Sequence, residues 1–409
     1  MGCLLLLVSP LNAGISLTGY YKQFFTGFWL PAYRNMGERV STPAEGMVQS
    51  RLRLDLKADL GRGLQFETAW DLSPQIAGGD FSAGFDGDLQ MSSYRAGDLE
   101  RRLYPDPGQS AGSLTLTHNL DRLFFTFHLD FADVYVGRQA ISWGSGHFVN
   151  PTDIIAPFTF NELDVEDRRG VDAVRIRIPV GSLDELDFGY VAGENFKGEN
   201  SAWFARGKFY LFHTDVSLLV MDFQRHLMLG IDLTRALGGA GVWLEGAHVI
   251  PGFFSNTASE TDPYTRLSAG LDYNFAGGWY TFFEYHFNSA GASETVRYPD
   301  IFRQSGVAEG AVYLMGRHYL NAGLVYQLHP LIPVTAMVIC NAGDGSVVFA
   351  PSAEYNIREN VYLVLGAYLG IGDSYEMVTD PGTGQPTPAL ESEFGAYPDL
   401  LYTAFRIYF

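Results

Sequence analysis

Residues 50–58 read SRLRLDLKA, and their side chains alternate strictly between apolar and charged. Leucines occupy positions 52, 54 and 56, whereas charged side chains occupy positions 51, 53, 55 and 57. A period of two residues places successive side chains on opposite faces, which is the pattern of a β-strand and not of a helix. The stretch therefore predicts a strand with one apolar face and one charged face.

The same alternation recurs along the chain and predicts about eighteen strands. They are predicted at 14–25, 46–58, 62–72, 121–129, 131–143, 170–179, 184–193, 201–211, 213–223, 225–235, 240–249, 263–275, 277–288, 315–328, 331–341, 345–355, 359–371 and 399–409. An even number of strands is what single-chain bacterial transmembrane barrels have.

The connections between these strands alternate in length. Short turns follow the even-numbered strands, while the long segments 26–45, 73–120, 144–169, 250–262, 289–314 and 372–398 follow odd-numbered ones. Three further connections that follow odd-numbered strands are short. In transmembrane barrels the short turns lie in the periplasm and the long loops lie outside the cell. We therefore predict an all-β transmembrane antiparallel barrel over residues 14–409, with both termini periplasmic.

The apolar faces of the strands form stripes that suit contact with lipid. Three stripes are Leu227, Leu229, Ile231 and Leu233; Leu267, Ala269, Leu271, Tyr273 and Phe275; and Leu320, Ala322, Leu324, Tyr326 and Leu328. The alternative is a soluble β-sandwich or solenoid. A sandwich of 409 residues would need two domains joined by a linker, and the sequence shows no linker. The pattern favours the membrane barrel.

Both ends of the chain resemble targeting signals, and the alternative for the first end is an ordinary apolar N-terminus. Residues 1–13, MGCLLLLVSPLNA, contain a short apolar run and are typical of the second half of a secretory signal peptide. Residues 400–409, LLYTAFRIYF, alternate up to a terminal Phe409 and resemble the C-terminal signature of Gram-negative outer-membrane proteins. This resemblance implies a place in the bacterial outer membrane and recognition of Phe409 by the barrel-assembly machinery.

Charged side chains are concentrated on the faces predicted to point into the lumen. The predicted pore-lining residues are Arg51, Arg53, Lys57, Arg122, Arg175, Arg177, Arg206, Lys208, Asp187, Glu245, Asp272 and Glu284. A dry interior could not hold so many unpaired charges, so either water fills it or the charges are paired. Salt-bridge ladders between neighbouring strands and a role in solute selectivity are both consistent with the pattern.

The segment 144–169 is too apolar for an exposed loop. An Asn-Pro step leads into the apolar stretch 154–160, which an acidic and basic run follows: Glu162, Asp164, Glu166, Asp167, Arg168 and Arg169. We predict that the segment folds back into the barrel and constricts it, and the alternative is a lid packed outside the rim. In role it resembles the inward-folded constriction loop of porins. The wider stretch 94–155 resembles porin-like proteins of metal-reducing bacteria.

These features predict an outer-membrane porin that lets small polar solutes diffuse through it. The alternative is a barrel sheath that houses a multihaem cytochrome partner in an electron conduit. The sequence contains none of the nucleophile-elbow, zinc-protease or phosphate-loop motifs that mark many enzymes, and it has no haem-attachment motif. We expect no catalytic residues, metal site or cofactor. A net charge of −19 argues against nucleic acid as a partner.

The predicted outer loops are rich in acidic residues. These are Asp80, Asp86, Asp88, Asp98, Glu100, Asp106, Glu260, Asp262, Asp373, Glu376, Asp380, Glu391 and Glu393. Such residues keep the mouth of a barrel hydrated. They could also concentrate cations at the entrance and share divalent ions with lipopolysaccharide phosphates, because carboxylate oxygens suit calcium and magnesium.

Overall fold

The computed structural model describes residues 14–35, 37–41, 43–78, 94–97, 99–109, 112–158, 162–256, 261–301, 304–379 and 385–409. The predicted signal segment at 1–13 lies outside these residues, as do the acidic positions 80, 86, 88, 98, 260 and 380. Within the described parts of the chain, none of the helices has the length and apolar character needed to cross a membrane.

The structure is built almost entirely from strands. In chain order they are β1 (Ile15–Trp29), β2 (Tyr33–Asn35), β3 (Glu38–Val40), β4 (Glu45–Gly61), β5 (Leu64–Ala77), β6 (Arg101–Tyr104), β7 (Leu114–His128), β8 (Asp133–Gln139), β9 (Val171–Val180), β10 (Asp184–Val191), β11 (Ala202–Leu211), β12 (Thr214–Phe223), β13 (His226–Leu237), β14 (Ala240–Ile250), β15 (Tyr264–Phe275), β16 (Trp279–Asn288), β17 (His318–His329), β18 (Ile332–Asn341), β19 (Val347–Arg358), β20 (Val361–Ile371), β21 (Tyr375–Thr379), β22 (Pro386–Leu390) and β23 (Asp399–Tyr408). Two helical turns, α1 (Tyr298–Ile301) and α2 (Ser305–Ala308), lie in the segment between β16 and β17.

All strands except β2, β3, β6, β21 and β22 form the wall of a closed antiparallel barrel of eighteen strands. The barrel closes where β1 pairs with β4 on one side and with β23 on the other. Tyr20 marks this closure, because it stands opposite both Arg53 and Tyr408. The predicted all-β barrel of about eighteen strands is confirmed, and each predicted strand corresponds to one strand of the wall.

One end of the barrel carries tight turns. They span 62–63, 129–132, 181–183, 212–213, 238–239, 276–278, 330–331 and 359–360. At turn 238–239, Gly238 has a φ of +63°, in the left-handed region that favours glycine. Most of the connections at the other end are long, and the longest of them occupy 78–113, 140–170, 289–317 and 372–398. The lengths therefore differ between the two ends as the sequence predicts.

The two faces of the wall differ in chemistry because the side chains alternate along each strand. On β14, for example, Leu244 is 36% exposed on the outer face, while the neighbouring Glu245 is fully buried on the inner face. Large apolar side chains on the outer face include Trp203, Phe283 and Leu365, each more than half exposed. An apolar outer face with a charged inner face is the arrangement of a transmembrane barrel.

Five short strands lie outside the regular wall, and the sequence pattern did not predict them. β6 pairs with the part of β7 that extends beyond the shorter β8. β2, β3, β21 and β22 form a separate four-stranded sheet beyond the long-loop end, where Tyr33 stacks on Tyr375 with ring centroids 4.9 Å apart. These strands have three to five residues, too few to establish an alternating pattern.

Candidate pore constriction

The connection between β8 and β9 comprises residues 140–170, and we call it the inner loop. Its described residues, 140–158 and 162–170, lie inside the barrel. Its contacts reach opposite walls: Glu245 of β14 and Arg51 of β4 both bind it. Eight strands separate β14 from β4 in either direction, namely β5 and β7–β13 one way, and β15–β20, β23 and β1 the other. The inner loop therefore crosses the lumen from one side to the other.

Glu245 holds the first part of the inner loop. One carboxylate oxygen, Oε2, accepts the backbone N–H groups of Ser145 at 3.0 Å and Gly146 at 3.1 Å. The other, Oε1, accepts the N–H of Thr152 at 2.8 Å and its hydroxyl at 2.7 Å. The Ser145 hydroxyl donates a further hydrogen bond to Asp232 on the neighbouring β13. The carboxylate thus closes a turn of the loop against the wall.

Glu284 on β16 holds the middle of the same turn. Its Oε2 accepts the N–H of His147 at 2.7 Å, and its Oε1 accepts those of Phe148 at 3.2 Å and Val149 at 3.1 Å. The indole N–H of Trp243 also donates to Glu284 at 3.0 Å. Together, Glu245 and Glu284 accept the backbone N–H groups of six loop residues, and hydrogen bonds to an ionised acceptor are stronger than neutral ones.

The glycine-rich sequence of this turn allows the close approach. Gly144 has a φ of +102°, and a Cβ atom there would lie 2.7 Å from the Oε1 atom of Glu245. A larger residue at position 144 would displace the carboxylate or the loop. The sequence WGSG at 143–146 therefore fits a backbone that docks directly on a buried carboxylate.

The apolar middle of the inner loop is buried, as its composition predicts. Ile154 and Ile155 are at most 2% exposed and belong to a cluster that includes Phe223 and Met228 on the wall. The same cluster includes Val312 from the connection between β16 and β17, so two long connections pack together in the barrel. Burial of such side chains stabilises the docked loop by about 1.5–3 kcal/mol each.

The acidic end of the inner loop meets a basic part of the opposite wall. Asp164 accepts hydrogen bonds from Lys22 at 2.7 Å and from Arg51 at 3.1 Å. Burial acts to raise the pKa of Asp164, but Lys22 and Arg51 outweigh it and hold that pKa below its usual value of 3.8. Asp167 accepts a hydrogen bond from the hydroxyl of Tyr20 at 2.6 Å, and Glu166 accepts one from Tyr408 at 2.7 Å.

Arg168 and Arg169, which are predicted to lie at the constriction, form ion pairs with acidic residues of the long connections. Arg168 pairs with the buried Asp153 at 2.5 Å and donates to the carbonyl of Ala156 at 2.7 Å. Burial raises the pKa of Asp153 to about 7, although Arg168 opposes that shift. Arg169 pairs with Glu100 at 2.8 Å. Glu162 lines a cavity beside the inner loop.

The other predicted pore-lining residues all lie on the inner face of the wall, and most of them are paired. Arg53 bonds to Asp71 and Asp121, and Arg122 also bonds to Asp121. The remaining pairs are Arg175 with Asp187, Arg177 with Glu185, Lys57 with Glu67, and Lys208 with Asp215; Arg206 donates to Ser217, and Asp272 accepts from Tyr280. Salt-bridge ladders, one of the two sequence-based interpretations, are therefore extensive.

Sequence reasoning missed Lys22, which is fully buried between Asp164 and Glu166. In the stretch GYYKQFF, Lys22 shares one face with Tyr20 and Phe24, so the alternating pattern contains the signal. Glu393 also differs from expectation. It is fully buried, and it accepts hydrogen bonds from Tyr319 at 2.5 Å and Asn341 at 2.7 Å instead of facing solvent at the entrance.

Two cavities flank the inner loop. The polar compartment, of about 410 Å³, lies between residues 142–145 and the inner faces of β9–β13. The aromatic compartment, of about 640 Å³, lies between inner-loop residues from Gly146 onward, the connection before β17, and the inner faces of β18–β20 and β23. The loop is therefore the partition between two spaces in one lumen.

Several solved structures share this barrel architecture. OccD3 (OpdP) of Pseudomonas aeruginosa aligns over 98% of this chain and 92% of its own, with a TM-score of 0.55 and 10% identity. OccAB2 of Acinetobacter baumannii aligns over 96% of this chain and 98% of its own, with a TM-score of 0.57 and 8% identity. The fold is that of the outer-membrane porins. OccK5 (OpdH) of Pseudomonas aeruginosa also matches this porin-like barrel, over 96% of this chain and 98% of its own, with a TM-score of 0.53 and 8% identity.

Sequence comparison adds no closer relationship. No family model matches the chain, and no curated protein matches it. At 7–10% identity, the similarity of these porin-like barrels is one of fold, and side chains in the lumen have to be interpreted from their own contacts.

Proposed function

We propose that the protein is a channel of the bacterial outer membrane through which small polar solutes diffuse, and that the inner loop is its constriction. The observation that carries this proposal is the docking of the loop on Glu245 and Glu284. A loop fixed across the lumen at mid-barrel leaves narrow passages on both sides, so it sets the size of solute that can pass. The porin fold supports the location and the class of transport.

The chemistry of the walls supports polar solutes. Charged side chains such as Lys208 and Asp215 line the polar compartment and stay more than 40% exposed although they pair with each other, and hydration favours such exposed charges. A hydrated, charged passage lets a polar solute replace its own water shell by contacts with the wall. We expect no catalysis by the chain, since most of the lumenal charged groups named above are engaged in ion pairs and loop contacts.

The alternative of a sheath around a multihaem cytochrome is less favoured. The spaces beside the inner loop measure about 410 and 640 Å³. A folded domain of about 100 residues has a radius of gyration near 13 Å, which neither space could hold. A sheath would require the inner loop to leave the lumen and abandon its contacts with Glu245 and Glu284.

Two partners follow from the proposed location. Lipopolysaccharide would surround the long-loop end of the barrel, and the barrel-assembly machinery would recognise the last strand through Phe409. Replacing Phe409 by Ser should lower the amount of barrel in the outer membrane fraction, while the purified, refolded variant should keep its β-sheet content. Unchanged assembly in cells would contradict this role of Phe409.

Conductance of the purified protein in a planar bilayer tests the proposed function. An open channel should give stepwise currents that small polar solutes such as a disaccharide reduce when they enter it. A barrel that inserts without conducting, or conducts only after the inner loop is removed, would contradict diffusion through the native protein.

A further inference from the structure

The aromatic compartment has a lining that a passage for polar solutes does not need. Rings of Phe148 and Phe158 from the inner loop, Tyr313 from the connection before β17, and Tyr368 and Tyr402 from the wall contribute to it. Tyr368 and Tyr402 stack at a centroid distance of 6.2 Å. Phe148 and Tyr313 are buried at the edge of this space. The rings of Phe158, Tyr368 and Tyr402 are half-buried and present part of their surface to the cavity, so an apolar body that covers this surface would bind there.

Three carboxyl groups and two guanidinium groups belong to the lining around these rings. Arg168 pairs with Asp153, and Arg406 lies 3.6 Å from Glu354. Glu162 is the third carboxyl group of this lining. Aromatic faces attract cations through the electrons of the ring, and the guanidinium of Arg168 already lies 4.4 Å from the centroid of Phe158. Both features favour a positively charged occupant.

The lining of the polar compartment is mainly charged and hydrophilic. Its lining includes four basic residues and three acidic ones: Arg175, Arg177, Arg206 and Lys208, with Glu185, Asp215 and Asp232. Trp143 is the aromatic residue of that lining. The inner loop therefore separates a space lined mainly by charged side chains from a space lined largely by aromatic and apolar ones.

We propose that the aromatic compartment is a binding site for organic cations with a flat aromatic body. The body would cover the tyrosine and phenylalanine rings, and the ammonium group would contact ring faces and the carboxylate of Glu162. Small polar solutes would use the polar compartment. The proposal of a passage for these cations rests on the proposed channel function, whereas binding to the site does not.

Equilibrium dialysis with the detergent-solubilised protein tests the site directly. Phenethylammonium is the probe, n-butylammonium is the control that lacks the ring, and phenylacetate is the control of opposite charge. Cation–π contacts and ring burial together should make phenethylammonium bind about tenfold more tightly than either control. Equal binding of phenethylammonium and n-butylammonium would overturn the proposal.

Three variants locate the binding. Ser352→Trp fills the aromatic compartment, Tyr368→Leu removes one of its rings, and Thr234→Trp fills the polar compartment as the matched control. The first two should weaken phenethylammonium binding about tenfold, and Thr234→Trp should leave it unchanged. Loss of binding in Thr234→Trp alone would place the site in the polar compartment and overturn the proposal.

Current block in a planar bilayer separates this site from the proposed function. Phenethylammonium should interrupt the current of the native channel, and Ser352→Trp should remove those interruptions. A protein that binds the probe by dialysis but carries no current would contradict the channel and support the site. A channel that conducts but shows no selective binding or block would support the channel and overturn the site.

Discussion

Replacing Glu284 by Gln should release the inner loop from its docked position. The carboxylate accepts four N–H groups, two at each oxygen, from the backbone of His147, Phe148 and Val149 and from the indole of Trp243. Glutamine keeps one acceptor oxygen. Whichever way the amide is turned, two of the four donors lose their acceptor and face an NH₂ group instead.

The size of the effect follows from these two lost contacts. A hydrogen bond to a charged acceptor contributes at least about 1.5 kcal/mol, so the docked state should lose about 3 kcal/mol. An energy of about 3 kcal/mol corresponds to a change of roughly a hundredfold in an equilibrium constant. The undocked state of the inner loop should therefore become about a hundredfold more populated.

Single-channel recording detects that change. Glu284→Gln should show frequent transitions to a conductance level above that of the native channel. Glu245→Gln should behave in the same way, because Glu245 also accepts four hydrogen bonds. Glu354→Gln is the matched control, since Glu354 also lies on the inner wall but pairs with Arg406 of β23. If Glu284→Gln and Glu245→Gln record like the native channel, these carboxylates do not hold the constriction.

Three further outcomes are expected. A cysteine introduced at Ser293 should react with an impermeant label in whole cells, and one at Gly238 should not; the reverse pattern would contradict the orientation. Because Lys22 and Arg51 lower the pKa of Asp164, the ionised Asp164 stabilises the docked inner loop above pH 3.8. This stabilisation is lost as the pH falls through the lowered pKa that Asp164 has in the folded protein. Conductance should therefore rise in strong acid, and Asp164→Asn should show that rise at neutral pH; a pH-independent native channel would argue against this contact. If the acidic loop residues predicted from the sequence lie at the entrance, the channel should favour cations in reversal-potential measurements at low salt, and the preference should fade once screening acts within about 8 Å; anion preference at low salt would mean that the lumenal arginines set the field.

The barrel itself could be predicted from the sequence because each strand carries its own evidence. In the stretch 50–58 the alternation of leucines and charged residues identifies a strand and also shows which of its faces is apolar and which is charged. The eighteen strands of the wall follow from that local signal, and their antiparallel order follows from the short turns. Alternation is strong here because one face meets apolar surroundings and the other meets charge.

The details of the lumen could be predicted only in part. The apolar run near Ile154 indicates burial, but the partners that bury it lie far away in sequence. Nothing local shows that Glu245 and Glu284 would accept backbone N–H groups from the inner loop, since an inward carboxylate looks the same whether it faces water or a loop. Glu393 illustrates the opposite error, because an acidic residue in a long connection is usually exposed, yet here it is buried against Tyr319 of β17 and Asn341 of β18.

The most direct test of the constriction compares single-channel conductance and size exclusion before and after deletion of residues 154–165. This deletion removes the buried apolar part of the inner loop and the contact of Asp164 with Lys22 and Arg51. The shortened loop can no longer cross the lumen, so conductance should increase and larger polyethylene glycols should enter the channel. Unchanged conductance and an unchanged size limit would contradict the placement of the inner loop as the constriction.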